Sequence, residues 1–325
     1  MNHAPACSVL LTGATGQVGI FAIPRLLSAG FRLVALSRKI DKGMTVPAPS
    51  PQGEVQWIHP DRVLTPAGDE FPDNAQRWLG PVEVLLSLGP LDLSVELARG
   101  CPRLRQVICL STSSLYTKMS SPDSAERALL ERIRAAENSL KKYCAQGAIP
   151  LFLLRPTMIY GCGLDRNISR IARLVRRWRF FPVAGRAAGL RQPVHADDLA
   201  ALCVALLDHG SLTGIESPVG GGSVISYRQM VERIFAGLGL TPRILQLPPA
   251  VLTGLVRSVS WLPGLDGLNP EFVRRQNRDL VFDDSGLREQ LGFSPRPFNP
   301  GPADFEVPEL VKSCQPRVQG PAGAS

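Results

Sequence analysis

Short apolar runs alternate with helical patterns along the first half of the chain. Six runs rich in apolar and β-branched residues predict strands, namely SVLLTG, FRLVALSR, EVQWIH, PVEVLLSLG, RQVICLSTSS and PLFLLRP. After the first of them, VGIFAIPRLLSAG has the apolar spacing of a helix that ends at Gly30. Strands that alternate with helices usually pair in parallel and are covered on both faces. The pattern therefore predicts an α/β fold built on a doubly wound parallel sheet.

The second half of the chain has a looser pattern. After Gly161 come an arginine-rich helix, RNISRIARLVRRWRF, a strand-like RQPVHADD and an amphipathic VISYRQMVERIFAGLG. The proline-rich TVPAPSPQG predicts a surface loop, and the tail PRVQGPAGAS, made of small and turn-forming residues, is expected to be disordered.

Composition narrows the function classes only slightly. Hydrophobic residues make up 44% of the chain and charged residues 20%, as in soluble globular proteins. The 36 basic and 28 acidic residues give a net charge of +8, which favours anionic partners in general. The 7 cysteines form no C-x-x-C pair, so we expect buried thiols and no metal site. We find neither a signal-peptide pattern nor a membrane-spanning run, and we expect a cytoplasmic protein.

The stretch LLTGATGQVG has the pattern of a phosphate-binding loop between a strand and a helix. Gly13 permits a tight turn, Gly16 lets the backbone approach a pyrophosphate, and Gly19 lets the helix pack closely on the sheet. The helix N-terminus then offers N–H groups and a positive dipole end to phosphates. The predicted dinucleotide-binding residues of the loop are Gly13, Thr15, Gly16, Gln17, Val18 and Gly19.

The end of the second predicted strand bears on which dinucleotide is bound. NAD-binding loops of this kind are followed, about 20 residues on, by an acidic residue that holds the ribose hydroxyls. Here the stretch is LSRK, with Arg38 and Lys39 and no acidic residue. A guanidinium suits a 2′-phosphate, so we predict that NADP(H) is preferred over NAD(H), with Arg38 and Lys39 as cofactor contacts. The alternative is that both are solvated surface charges.

Several ordered motifs together resemble one family. TGATGQVG, STSSLY, LRPTMIYG, LRQPVHADDLA and FDDSGLREQLGFSPRP follow one another from Leu10 to Phe298. The set resembles the extended short-chain dehydrogenases/reductases, the NAD-dependent epimerase/dehydratase group that acts largely on nucleotide sugars. The resemblance implies a Rossmann-type domain in residues 1–165, joined again by 190–210. It also implies a smaller C-terminal α/β substrate-binding region in 166–310, leaving a disordered tail in 311–325.

The resemblance also implies a chemistry that this chain carries only in part. In that family a tyrosine, with a lysine four residues on, exchanges the substrate proton while hydride moves to or from the nicotinamide. Aligning the family's Y-x-x-x-K-x-x-x-E on Glu137 puts Leu129 at the tyrosine position and Ile133 at the lysine position. The four tyrosines, Tyr116, Tyr143, Tyr160 and Tyr227, are followed four residues later by Ser, Gly, Leu and Val. The usual pair is therefore absent from this sequence.

Other residues are candidates for the site by their place in the family motifs. Thr112 corresponds to the Ser or Thr that holds the reacting oxygen, and Tyr116 is the predicted replacement for proton transfer, with Lys118 and Tyr160 as alternatives. Ser111 and Gly89 are assigned to the cofactor, and Ser113, Tyr160 and Arg191 to the substrate. Arg191 matches an arginine that holds the substrate diphosphate, against the alternative of a salt bridge to Asp197 or Asp198. We expect His195 to be hydrogen-bonded and non-catalytic.

Two functions remain open on the sequence alone. The first is an NAD(P)-dependent oxidoreductase or epimerase that acts on a nucleotide sugar or a related small carbonyl or hydroxyl substrate. The second is a non-catalytic dinucleotide-binding protein, a redox sensor or an assembly scaffold. Expected partners are a small-molecule substrate and, by analogy, a second copy in a homodimer. The arginine-rich helix has the composition to meet an anionic surface, but no recognisable nucleic-acid motif accompanies it, so no nucleic-acid partner is predicted.

Overall fold

The structure is a computed structural model that describes residues 7–38, 55–64, 71, 75–208, 212–259 and 269–308. Lys39, the proline-rich stretch 45–53 and the tail 311–325 lie outside the described residues. The first described strand begins at Ser8 and the last described helical turn ends at Phe305.

Thirteen strands are formed by the described residues, and seven of them make one parallel sheet in the order β11-β6-β5-β4-β1-β2-β3. The remaining strands form three two-stranded pairs, β7 with β10, β8 with β13 and β9 with β12. The strand bounds are β1 Ser8–Thr12, β2 Arg32–Leu36, β3 Val55–Ile58, β4 Val84–Ser87, β5 Gln106–Leu110, β6 Leu151–Pro156, β7 Ile159–Tyr160, β8 Phe181–Ala184, β9 Leu190–Arg191, β10 Val194–His195, β11 Gly214–Val219, β12 Ile225–Ser226 and β13 Ile244–Leu247.

Helices cover both faces of the large sheet and build most of the C-terminal part. Their bounds are α1 Gly19–Ser28, α2 Gln76–Leu79, α3 Asp92–Gly100, α4 Ser114–Thr117, α5 Ser124–Gln146, α6 Ile168–Trp178, α7 Ala196–Asp208, α8 Tyr227–Gly237, α9 Pro249–Val259, α10 Pro270–Arg275 and α11 Ser285–Leu291. Single 3₁₀ turns lie at Pro60–Arg62 and Pro302–Phe305. None of the described helices is long and apolar enough to cross a membrane.

Three apolar clusters hold these elements together. Alternate side chains of β1 point to opposite faces, so Val9 and Leu11 pack with α1 and α7 while Leu10 packs with α3 and α5. A third cluster joins α6, α8, α9 and β8 around Phe181 and Phe235. The first two clusters fix the large sheet, and the third is a separate core for the segments that follow it.

The large sheet confirms the predicted fold class, and each of the six predicted strands is present as β1 to β6. A seventh strand, β11, was not recognised in the sequence because GIESPV, with its Glu, Ser and Pro, lacks an apolar run and is only partly buried. It pairs along the whole of β6. The chain therefore returns to the large sheet twice in this region, with α7 packed on the sheet and β11 added at its edge. The domain limits given above stay a prediction.

Candidate functional site

The loop between β1 and α1 has the geometry that its glycines predict. Gly13 has φ +67°, and a Cβ there would lie 2.6 Å from the carbonyl of Leu88. A Cβ on Gly19 would lie 2.2 Å from the carbonyl oxygen of Gly13, and the Gly16 N–H donates to that same oxygen at 2.8 Å. The tight turn therefore tolerates no side chain at Gly13 or Gly19, which agrees with the predicted tight turn at Gly13 and close helix packing at Gly19.

The surroundings of this loop are open to an anion. α1 begins without a side-chain cap and without an acidic residue in its first turn, so its N-terminal dipole is not neutralised. Thr15 is buried and its hydroxyl lies 3.1 Å from that of Ser37 at the end of β2. Gly89 follows β4, and its N–H donates to the Thr12 hydroxyl at 3.2 Å. The residues present therefore fit a dinucleotide phosphate.

Arg38 lies directly after Ser37 and is exposed. Ser37 is 6% exposed, so of these two residues only Arg38 presents its side chain to solvent beside the loop. Lys39, the other predicted contact, lies outside the described residues. No acidic side chain takes the place of the missing carboxylate at the described end of this strand, residues 32–38.

A cavity of about 320 Å³ lies beyond the loop, and we call it the Gly89 cavity. Its walls include Gly89, Ser111, Thr112, Leu129 and Ile133. Leu129 and Ile133 are the residues that the alignment on Glu137 puts at the tyrosine and lysine positions. The helix α5 thus brings both aliphatic side chains to the cavity that Ser111 and Thr112 line, and Leu129 is 49% exposed there.

A buried ion pair anchors the predicted cofactor residue Ser111. The Ser111 hydroxyl donates to the Glu137 carboxylate at 2.5 Å, and Arg155 binds the same carboxylate through Nε at 2.9 Å and Nη2 at 2.5 Å. Arg155 Nη2 also meets Glu216 at 2.7 Å. These hydrogen bonds raise the pKa of Arg155 against the effect of burial, which lowers it. The network fixes Ser111 and leaves Glu137 engaged as an ion-pair partner.

The predicted proton-transfer residue Tyr116 does not line the Gly89 cavity, but it packs against Phe282, which lines a larger cavity. Its hydroxyl accepts a hydrogen bond from Arg155 Nη1 at 2.7 Å, and its ring packs against Phe282 with centroids 5.3 Å apart. The side chain is 49% exposed. Its role in proton transfer stays a prediction.

The larger cavity, of about 430 Å³, is rich in cationic side chains, and we call it the Arg191 cavity. Its walls include the predicted site residues Gln17, Thr112, Ser113 and Arg191. Its cationic residues are Lys118, Arg166, Arg170, Arg191 and Arg275. The single carboxylate among its lining residues, Asp165, is held by the backbone N–H groups of Asn167 and Ser169 at the start of α6.

Arg191 is 2% exposed and is bound by backbone carbonyls alone among the described residues. Its guanidinium donates to the carbonyls of Leu190 and Arg278 at 2.7 Å, and to that of Arg275. Its Nε has no hydrogen-bond partner in the described chain. Burial lowers the pKa of Arg191 to about 10, and the charge of Asp279 offsets only part of the lost hydration.

The alternative of a salt bridge between Arg191 and Asp197 or Asp198 is wrong. Asp197 pairs with Arg25 and Arg296, and Asp198 pairs with Arg296, each at 2.7 Å. Although burial acts to raise the pKa of Asp197, hydrogen bonds from Arg25 and Arg296 hold it below its ordinary value. These carboxylates stabilise the start of α7, and Arg191 is left without an ion-pair partner among the described residues.

Two further buried polar groups in the Arg191 cavity also have no partner among the described residues. They are Gln17 Nε2 and the Tyr227 hydroxyl. Tyr227 is 4% exposed, its ring lies 5.3 Å from the guanidinium carbon of Arg191, and burial raises the pKa of its phenol. Buried donors without partners cost stability unless a ligand satisfies them. The cavity therefore has the donor set of a site for an oxygen-rich anion.

Lys118 also faces this cavity, which the sequence alone did not establish. Its Nζ lies 3.3 Å from Glu126 Oε1, and Arg275 Nη2 binds Glu126 Oε2 at 2.5 Å. Burial and the nearby Arg275 charge lower the pKa of Lys118. Tyr227, Arg275 and Asn269 were missed as lining residues, since they come from α8, α10 and the residue before α10, far along the chain from the motifs.

Tyr160 and His195 pack together away from both cavities. Tyr160 is 2% exposed, with ring centroids 5.0 Å from His195 and 4.8 Å from Phe298. His195 Nδ1 accepts the Asp197 N–H at 3.0 Å, so Nε2 carries the hydrogen and donates to Asp304 at 3.0 Å. Both histidine nitrogens are thus engaged, and substrate contact by Tyr160 stays a prediction.

Comparison with known proteins finds similarity over part of the chain. Residues 88–215 match the model of the NAD dependent epimerase/dehydratase family. The UDP-glucose 4-epimerase of Vibrio cholerae is 26% identical over 163 residues, 49% of this chain and 46% of that protein. NADH dehydrogenase [ubiquinone] 1 alpha subcomplex subunit 9, mitochondrial, of Arabidopsis thaliana is 27% identical over 218 residues, 64% of this chain and 51% of that protein. The chain thus spans about half the length of these curated relatives.

Solved structures share the fold over almost the whole chain. UDP-N-acetylglucosamine 4-epimerase from Bacillus cereus superposes with a TM-score of 0.64 at 15% identity, covering 98% of this chain and 99% of that one. UDP-glucuronic acid 4-epimerase from Bacillus cereus, solved with NAD, gives a TM-score of 0.64 at 16% identity, covering 94% and 99%. The seven-stranded parallel sheet of this chain is the fold of these structures, and residues 88–215 match the NAD dependent epimerase/dehydratase family model.

Proposed function

We propose that this chain is an NADP(H)-dependent oxidoreductase or epimerase that binds a nucleotide sugar in the Arg191 cavity. One observation carries the proposal: Thr112 lines both the Gly89 cavity and the Arg191 cavity. A cofactor on the β1–α1 loop and an anionic ligand beside Arg191 would then meet at one hydroxyl. A protein that only stores a dinucleotide has no need of a second, cationic cavity at that point.

The cofactor half of the proposal is supported by the β1–α1 loop. Its glycines leave room for a pyrophosphate, and the uncapped start of α1 presents N–H groups to it. Solved structures with this fold include complexes with NAD. Arg38 favours a 2′-phosphate over a bare ribose hydroxyl, and NAD(H) is the alternative cofactor.

The substrate half is supported by charge and by unpaired donors. Arg191 is buried with no carboxylate partner in the described chain, and Gln17 Nε2 and the Tyr227 hydroxyl lack partners there too. A diphosphate offers several acceptor oxygens and compensating negative charge, which suits such a donor set. Structures with this fold include one solved with UDP-glucose and NAD.

The chain's own groups account for part of the chemistry. A bound nicotinamide supplies a hydride acceptor and donor. The Thr112 hydroxyl oxygen accepts the Ser114 N–H at 3.1 Å, so its hydrogen is free to donate to a reacting oxygen. Lys118 is the one of the three proton-transfer candidates that lines the Arg191 cavity, and a lowered pKa makes its neutral, proton-accepting form more accessible.

A second candidate, non-catalytic dinucleotide binding, is favoured by Leu129 and Ile133. Aliphatic side chains line the Gly89 cavity at the positions where the family places its proton-transfer pair. One curated relative is named as a subunit of NADH dehydrogenase, a multisubunit assembly. On this alternative the chain acts as a redox sensor or scaffold. A homodimer and a cytoplasmic location remain predictions under both proposals.

The deciding experiment measures binding and turnover separately. NADPH, NADH and a panel of nucleotide sugars are titrated calorimetrically, and sugar products are identified by chromatography because epimerisation returns the hydride without net absorbance change. We expect tighter binding of NADPH than NADH, and turnover that Thr112→Ala lowers by about 100-fold or more. Ser120→Ala, outside the Arg191 cavity, is the matched control. Tight binding of cofactor and sugar with no product across the panel would favour the non-catalytic alternative.

The cofactor preference has its own test at Arg38. Replacing Arg38 by Asp removes the guanidinium and supplies the carboxylate that suits ribose hydroxyls. We expect the ratio of the two dissociation constants to shift towards NADH by about tenfold or more, corresponding to ~1.4 kcal/mol. Arg32→Asp, exposed at the other end of β2, is the control. Equal NADH and NADPH affinities in the unmodified protein would contradict the preference.

A further inference from the structure

Two segments of the C-terminal part contain arginines and no acidic residues. Residues 166–196 contain 8 arginines and residues 233–259 contain 3, with neither Asp nor Glu in either segment. Residues 1–40 and 97–122 also carry basic and no acidic residues, but they belong to the N-terminal part. Arg166, Arg170 and Arg191 belong to the Arg191 cavity, so its ligand accounts for them. The exposed Arg177 and Arg243, one in each segment, do not line that cavity.

The fold joins the two segments at one place. β8 follows α6 directly and pairs in parallel with β13, with Phe181 opposite Ile244. The Phe181 N–H donates to the Arg243 carbonyl at 2.9 Å. Phe180 therefore lies beside Arg243, and α9 continues from β13 through a single residue, Pro248. Two stretches that lack Asp and Glu and are far apart in sequence thus form one surface.

Exposed apolar side chains are concentrated on the same elements. Of the 8 exposed large hydrophobic residues in the described chain, four lie here: Phe180 at 41%, Leu245 at 49%, Val251 at 50% and Leu255 at 51%. Val251 and Leu255 are one turn apart on α9, and Phe180 stacks on Trp178 with centroids 6.2 Å apart. We call Arg177, Phe180, Arg243, Leu245, Val251 and Leu255 the arginine–apolar surface.

We propose that the arginine–apolar surface docks onto a lipid bilayer that contains anionic lipid. Cationic side chains without nearby carboxylates are attracted to an anionic surface, and aliphatic and aromatic side chains enter the boundary between headgroups and acyl chains. Nucleic acid would satisfy the arginines but offers no place for exposed Leu and Val side chains. The docking is peripheral, is independent of the proposed activity, and needs no membrane-spanning helix.

The test is co-sedimentation of the full chain with vesicles. Phosphatidylcholine vesicles with and without phosphatidylglycerol are compared at low and high salt. We expect partitioning onto the anionic vesicles only, weakened by salt through screening. Arg177→Glu with Arg243→Glu should lower the partition coefficient by at least about 25-fold, since each arginine near such a surface contributes about fivefold. Phe180→Ser with Leu245→Ser should lower it as well.

Matched variants separate a specific surface from the general basicity of the chain. Arg99→Glu with Arg103→Glu makes the same charge change at exposed positions of α3 and the following loop. Its partition coefficient should fall only by the general effect of the smaller net charge, to within about twofold. Thermal unfolding checks that every variant is folded. No binding to anionic vesicles at low salt, or equal loss in both charge-reversal pairs, would overturn the proposal. Displacement from vesicles by duplex DNA at lower concentration than by lipid would reassign the surface to nucleic acid.

Discussion

The two cavities that meet at Thr112 are opposite in character. The Gly89 cavity is lined by aliphatic Leu129 and Ile133 on α5, the positions that the alignment on Glu137 gives to a tyrosine and a lysine. Its charged lining residues, Asp92 and Arg132, pair with each other. The Arg191 cavity has five cationic residues, and three polar side chains with a buried, unpaired atom in the described chain. One cavity is thus balanced in charge, and the other has an excess of positive charge and unsatisfied polar groups.

This difference separates the predicted recognition residues from the predicted proton-transfer positions. The predicted recognition residues lie on the β1–α1 loop and on several elements around Arg191. The positions that the alignment on Glu137 gives to the tyrosine and the lysine lie on α5 alone, so substitutions there can change them without disturbing the sheet. The two proposed functions therefore share the same binding residues and differ at α5.

The largest expected effect comes from Gly13→Ala, which distorts the β1–α1 loop where it contacts Leu88 and Gly89. The new Cβ would meet the Leu88 carbonyl at 2.6 Å at a position with φ +67°. We expect a loss of unfolding free energy of about 2–4 kcal/mol and at least about a hundredfold weaker NADPH binding. Calorimetry and denaturant unfolding measure both effects.

Gly30→Ala is the control, because it also has a positive φ, +84°, but meets nothing within 4 Å. It should cost only about 1 kcal/mol of unfolding free energy and leave cofactor affinity unchanged. Equal effects of the two substitutions would show that backbone strain alone, and not the close approach to Leu88, explains the glycine at position 13.

A gain of activity would come next in size. Leu129→Tyr with Ile133→Lys places a phenol and an amine in the Gly89 cavity, four residues apart on α5. If binding is intact and only proton transfer is missing, turnover of the bound nucleotide sugar should rise by about a hundredfold or more. Product formation measures it, and Leu129→Phe with Ile133→Met controls for volume. No gain with undiminished binding of both ligands would show that more than this pair has changed.

On the other side of Thr112, Arg191→Met tests the cationic cavity. Removing a charged donor should weaken nucleotide-sugar binding by about 10- to 100-fold while NADPH affinity stays constant. Arg173→Met, an exposed arginine on α6, is the control. Because Arg191 also binds three backbone carbonyls, unfolding is measured in parallel. Equal loss of NADPH and sugar binding would mean a general structural role.

The smallest expected effect concerns the ion pairs that Glu126 forms with Lys118 and Arg275, two residues that line the Arg191 cavity. Burial acts to raise the pKa of Glu126, but hydrogen bonds from Ser121 and Arg275 and the charge of Lys118 lower it below its ordinary value. The folded-state pKa is thus below the unfolded one, so the stabilisation is complete above about pH 4.3 and is lost as the pH falls through the folded-state pKa.

Glu126→Gln should therefore lower the unfolding free energy by no more than about 1 kcal/mol at neutral pH, since the group is partly exposed. The difference from the unmodified protein should vanish in acid. Denaturant unfolding at several pH values measures it, with Glu131→Gln, exposed on the same helix, as the control. A difference that stays constant down to pH 3 would contradict the ion-pair role.

Local patterns made part of the site predictable. The β1–α1 loop, the six strands and the Thr112–Ser113 strand end are encoded by consecutive residues, so their placement follows from short-range periodicity. Aligning Glu137 located Leu129 and Ile133, and the structure brings both to one cavity with Ser111. The partners of Arg191 were not predictable, because its hydrogen bonds go to backbone carbonyls of residues 275 and 278, which carry no side-chain signal.

The sequence by itself determined the sheet, the glycine loop and the lack of a Tyr-x-x-x-Lys pair, since each depends on residues close together in the chain. Only the tertiary structure decided which charges share a cavity. The Arg191 cavity is lined by Lys118 directly after α4, by Arg275 of α10 and by Tyr227 of α8. The carboxylates of Asp197 and Asp198 pair instead with Arg25 and Arg296. Coulomb energies and desolvation depend on distance through space, and that distance is set by the packing of remote segments.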